Sequence, residues 1–79
     1  MPKYRIRLIN SEFDSSDEAD YPSPEEALRS AVMGATKIAS ETVAKGPPSA
    51  AVEIQVYDGT RLVARNVVTV SLSGLIVDQ

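Results

Sequence analysis

The pair Asp58-Gly59 stands between two alternating runs, Val52-Glu53-Ile54-Gln55-Val56-Tyr57 and Leu62-Val63-Ala64-Arg65. Asp-Gly in such a setting is the strongest short-range mark of a β-hairpin, because both residues tolerate the backbone that a tight turn needs. A hairpin commits the chain to a sheet. Side chains on a strand alternate between two faces, so the turn also decides which residues meet.

Two registers compete. A two-residue Asp58-Gly59 loop pairs Val56 with Arg61 and Ile54 with Val63, which brings Arg61 and Arg65 to the apolar face. A three-residue loop, Tyr57-Asp58-Gly59, pairs Val56 with Thr60, Ile54 with Leu62 and Val52 with Ala64. Every inward side chain is then apolar or small, and burial favours that register. The expectation is a type I turn with Gly59 left-handed in a bulge. The same parity runs on through Val68, Val70 and Leu72, so the last strand is long, over 60–72. Val63 and Val67 lie on its outer face with Arg61 and Arg65. Ser73-Gly74 ends it, and Leu75-Ile76-Val77 forms an apolar tail with no assigned place.

The segment from Lys3 to Ile9 also alternates. Tyr4, Ile6 and Leu8 fall on one face, Lys3, Arg5 and Arg7 on the other, which reads as a half-buried strand. Residues 10–22 are polar and acidic, with Phe13 and Tyr21 as the only large apolar groups to pin them to the body. That reads as a long connecting loop, with room for a short extra strand near Phe13. Seven acids (Glu12, Asp14, Asp17, Glu18, Asp20, Glu25, Glu26) and no base lie between residues 12 and 26.

A helix follows with clear limits. Ser23 is the N-cap, Pro24 takes the first helical position, and Glu26 completes a capping box. Lys45, Gly46 and Pro47-Pro48 stop it. The helix spans 24–45, roughly 30 Å at 1.5 Å per residue. Its apolar stripe is Leu28, Ala31, Val32, Ala35, Ile38, Ala39 and Thr42, and Glu41 and Lys45 are spaced to pair. Gly34 and Met33 lie off the stripe. Gly34 is either a tolerated surface glycine or a point of close approach by another chain.

The element order predicts an α+β fold, β-α-β-β, in one small domain over 1–79. The sheet is three-stranded and antiparallel, with the long C-terminal strand central and the helix across one face. An alternative puts strand 51–57 in the middle, parallel to the first strand.

Composition removes whole classes of chemistry. The 79 residues contain no His and no Cys, which excludes Ser-His-Asp and Cys-His nucleophilic centres, disulfides and the usual zinc and haem ligands. The four glycines are isolated, so there is no glycine-rich phosphate loop. The acids Asp14, Asp17, Glu18 and Asp20 lack the spacing and turn glycine of a calcium-binding helix-loop-helix, and a solvated loop is the plainer reading. No catalytic, cofactor-binding or metal-binding residues are expected, and the chain is not expected to be an enzyme. Lacking Cys, an apolar leader or an apolar run of membrane length, it reads as a soluble cytoplasmic protein. So small a core needs a staple, and with disulfides excluded the expectation is a homodimer.

The start Met1-Pro2-Lys3-Tyr4, the segment Tyr21-Pro22-Ser23-Pro24-Glu25-Glu26-Ala27 with Ala31 after it, and the hairpin Val52 to Val63 occur in a suggestive order. In these features the chain resembles a family of small proteobacterial proteins known only as a domain of unknown function. The resemblance covers most of the chain. It implies a stand-alone small α/β protein with no established activity, and it carries over no site residues.

The expected function is therefore an interaction or regulatory module that self-associates and binds an unidentified protein partner. The candidate face is the open side of the sheet, with Arg5, Arg7, Ile9, Tyr57, Arg61, Val63, Arg65 and Val67. The alternative is nucleic-acid binding through the same basic face. The net charge of −3 and the presence of Tyr57 as its only aromatic platform weigh against it.

Overall fold

The computed structural model describes residues 2–73, so the tail 75–77 lies outside the described residues. Five elements follow one another: β1 (Lys3–Ile9), β2 (Asp14–Asp20), α1 (Pro24–Ala44), β3 (Ser49–Asp58) and β4 (Arg61–Ser71). The class is α+β, as the sequence predicts, but the sheet has four strands, in the order β2-β1-β3-β4. Every neighbouring pair is antiparallel.

The added strand is β2, which occupies the segment read as a loop. Its sequence, Asp-Ser-Ser-Asp-Glu-Ala-Asp, is poor in strand-forming residues, and all seven are exposed. What holds it is the ladder to β1, from Lys3 opposite Asp20 to Ile9 opposite Asp14. The connecting loop is fastened by Asn10, whose side-chain oxygen accepts from the backbone N–H groups of Glu12 at 2.7 Å and Phe13 at 2.9 Å. Phe13 and Tyr21 both pack on the core, and the Tyr21 hydroxyl lies 3.1 Å from Ser30 Oγ.

The extra strand reverses the direction of everything after it. A chain that turns back at Phe13 sends α1 the other way, so β3 returns antiparallel to β1 and pairs with it directly. This corrects the expected order: β3 is interior and, among the described residues, the long β4 is an edge. Of the alternative arrangement, the middle position of strand 51–57 holds and the parallel pairing does not.

The helix starts as expected. Ser23 is extended, its Oγ accepts from the Glu26 N–H at 3.2 Å, and Pro24 follows. The Glu26 carboxylate turns to Arg29, 3.0 Å away, so only half of the capping box forms. Glu41 and Lys45 form no ion pair among the described residues. Lys45 caps the C-terminus and Gly46, with φ of +145°, leads the chain out.

Ala27, Ala31, Ala35 and Ala39 are the buried helix residues, against Val52, Ile54, Val56 and Tyr4. A methyl-lined face lets the helix lie close to the sheet. Leu28, Val32 and Ile38 flank that line from partly buried positions, while Met33 is exposed. The helix packs on β3 and β4 and touches β1 lightly, leaving β2 uncovered.

The hairpin adopts neither register foreseen. Asp58 pairs with Arg61 and Tyr57 with Leu62, so the loop is Gly59-Thr60. Gly59 is left-handed, with φ of +63°, and Thr60 is not, which is the signature of a type II′ turn. The bulge sits further on. The register shifts between Val56 and Tyr57, where Val56 pairs with Ala64 and Val63 is the extra residue. This single insertion restores the parity that buries Ala64, Val68 and Val70 towards the helix.

Candidate functional site

The face of the sheet away from the helix is built by alternation. β1 contributes Lys3, Arg5, Arg7 and Ile9, opposite Asp20, Glu18, Ser16 and Asp14 of β2. β3 contributes Tyr57, Gln55 and Glu53 opposite the same three residues Arg5, Arg7 and Ile9. β4 adds Leu62, Arg65 and Val67, opposite Tyr57, Gln55 and Glu53.

Side-chain hydrogen bonds connect all four strands across this face. Arg7 grips Asp14 with two bonds, Nε to Oδ1 at 2.8 Å and Nη2 to Oδ2. Its Nη1 reaches Gln55 Oε1 at 3.5 Å, the weakest link. The Tyr57 hydroxyl donates to the same Gln55 oxygen at 2.7 Å, and Gln55 Nε2 donates to Glu53 Oε2 at 2.6 Å. Arg65 closes the row on Glu53, Nε to Oε2 at 3.0 Å and Nη2 to Oε1 at 3.3 Å. Arg5 lies on the Tyr57 ring, 4.4 Å from its centre.

The network sets its own protonation. The Arg7 hydrogen bond holds the Asp14 carboxyl below the usual carboxylate range. Hydrogen bonds from Arg65, then Gln55, do the same for Glu53. Both arginines are pushed further up by their partners. At neutral pH the row Asp14, Arg7, Gln55, Glu53, Arg65 carries two negative and two positive charges, and its net charge is zero. Apolar Ile9 and Val67 border Glu53 on either side.

Six of the eight residues predicted for this face are on it: Arg5, Arg7, Ile9, Tyr57, Arg65 and Val67. The bulge removes the other two. Val63 packs on the core, and Arg61 stands opposite Asp58, two residues beyond Val56 on the helix side. Asp14 was not foreseen as part of the face, because the extra strand allowed near Phe13 was given no extent and no register. No side-chain periodicity marks that strand, since its acids at 14, 17, 18 and 20 fall on both faces. Strand alternation sends Asp17 to the opposite side, opposite Ile6, so the acids do not converge.

A groove of about 240 Å³ lies between the helix and the uncovered part of the sheet. Ile6 and Leu8 form its floor, and Ala31, Gly34 and Tyr21 its wall. It exists because β2 offers only Ser15, Asp17 and Ala19 on that side and the helix leans towards β3 and β4. Comparison of the chain with protein-family models, with curated proteins and with solved structures gives no match. Among the described residues, no helix is long and apolar enough to cross a membrane.

Proposed function

We propose that this chain is a non-enzymatic protein-interaction module that self-associates and presents the open sheet face to a protein partner. The observation that carries this reading is the neutral row from Asp14 to Arg65. Its side chains are held before any partner arrives, so little rotamer entropy remains to be lost on binding. The row contains Arg7 and Arg65 and is flanked by Tyr57 and Arg5, residue types that anchor protein contacts. A polyanion would meet Arg7 and Arg65 already matched by carboxylates, which disfavours the nucleic-acid reading.

Sedimentation equilibrium over a wide range of concentration tests the self-association. The mass is expected to rise from 8.5 kDa towards twice that value, and a constant 8.5 kDa overturns it. Titration with single-stranded oligonucleotides tests the protein-contact reading. Binding that falls steeply with salt and disappears in an Arg5→Ala, Arg7→Ala, Arg65→Ala variant would replace it with nucleic-acid recognition.

A further inference from the structure

The two edges of the sheet are unlike. β2 displays Asp14, Asp17, Glu18 and Asp20 within seven residues, and charge of one sign along an edge keeps other strands away. β4 is eleven residues long, and its second half, Asn66-Val67-Val68-Thr69-Val70-Ser71, has no charge and no proline. Val67 is 58% exposed, and Leu72, just past the strand, is 65% exposed. Leu72 still donates its backbone N–H to Pro48 at 2.8 Å, so the extended backbone continues past Ser71. Along the outer side of β4, alternate residues direct both N–H and C=O away from the sheet. A long, uncharged, β-branched edge is a template for another strand.

We propose that self-association runs through this edge, with β4 pairing antiparallel to β4 of a second copy. The proposal rests on the self-association reading above and specifies its surface. A two-fold axis perpendicular to the sheet makes the contact isologous and closed. It yields a continuous eight-stranded sheet, twice the four of one chain, with both helices on one face. The acidic β2 strands become the outer edges, and the open face doubles in width. Registers centred on Val68 or Thr69 put no two charged side chains opposite each other between residues 64 and 72. Pairing β4 with β2 of another copy is disfavoured. It sets four carboxylates beside a stretch that has no cation, and it repeats without closing.

The chain has no cysteine, so single introduced cysteines report the contact cleanly. Thr69→Cys, for the register centred on Thr69, or Val68→Cys, for the register centred on Val68, is expected to form a disulfide-linked dimer on mild oxidation, because only the central residue faces its own copy within disulfide reach. Ser16→Cys on β2 is expected not to. Val67→Lys and Thr69→Lys, both at exposed sites on the open side, are expected to give a monomer at concentrations where the parent chain is dimeric. Their far-ultraviolet circular dichroism should match the parent's.

A parent dimer that persists in both lysine variants and cross-links through Ser16→Cys overturns the edge proposal and leaves self-association standing. A parent mass of 8.5 kDa at every concentration overturns both. Masses that grow beyond a dimer show head-to-tail stacking and overturn the edge proposal alone.

Discussion

The guanidinium carbon of Arg5 lies 4.4 Å from the centre of the Tyr57 ring, while the hydroxyl of that ring donates to Gln55 at 2.7 Å. One side chain thus supports a cation with its face and orients an amide with its tip. The two roles separate by substitution. Tyr57→Phe keeps the ring and loses the hydrogen bond, at a cost of about 0.5–1.5 kcal/mol. Tyr57→Ala also removes the platform under Arg5, for about 0.5–1 kcal/mol more from the cation–ring contact alone. Urea unfolding measures both, and equal midpoints for the two variants would show that the ring contributes nothing to holding Arg5.

The carboxylates of the same face make stability depend on acid. Asp14 and Glu53 have folded pKa values below their ordinary ones, each held down by its arginine. An unfolded chain therefore binds protons more readily than the folded one in the acid range. The stabilisation is full above the ordinary carboxylate values and is lost as pH falls through the folded values, below about pH 4. The arginine shifts are upward from values already far above neutrality, so they add no dependence near pH 7. A variant with Asp14→Asn and Glu53→Gln should show a flatter decline of midpoint urea concentration between neutral and acid pH. An unchanged decline would mean that other carboxylates govern it.

What the sequence discloses follows from what its patterns encode. β1 is legible because burial of Tyr4, Ile6 and Leu8 imposes alternation, and α1 because Ser23, Pro24 and Gly46 mark its ends chemically. β2 is not legible, since all its side chains are exposed and none records which way it faces. Its strand state comes from a backbone ladder and from opposing charges on β1, which are properties of two segments together. The misread strand order descends from that one gap, because a missing strand inverts the direction of β3. The hairpin shows the same limit on a smaller scale. A bulge at Val63 leaves the apolar parity of Ala64, Val68 and Val70 intact, so the pattern is blind to it. Arg61 lies on the near side of that bulge and Arg65 on the far side, which is why one was misplaced on the open face and the other was not.

Two glycines should respond in opposite directions to the same substitution. Gly59 has φ of +63°, where an added Cβ is strained, and Gly59→Ala should destabilise the chain by about 1–2 kcal/mol. Gly34 lies inside the helix, where an added Cβ meets nothing within 4 Å. Gly34→Ala should stabilise by up to about 1 kcal/mol through helix propensity. Thermal or urea unfolding of the two variants gives the comparison. A Gly34→Ala chain less stable than the parent would reveal a contact over Gly34 that the single chain does not have, and would move the interface to the helix face.

The helix approaches the sheet on methyl groups, and that closeness should be sensitive to volume. Ala35 is fully buried, as are Val52, Ile54 and Val56 on the strand beneath the helix. Ala35→Leu adds three carbons where no space is left. The helix must lift or neighbouring side chains must leave their rotamers, at a cost of about 1–3 kcal/mol. Ile54→Ala opens the same layer and should cost about 2–5 kcal/mol, depending on how far the helix settles. Both groups belong to one packed cluster, so the double variant should lose less than the sum of the two single losses. Strict additivity in urea unfolding would show that Ala35 and Ile54 do not share the space between helix and sheet.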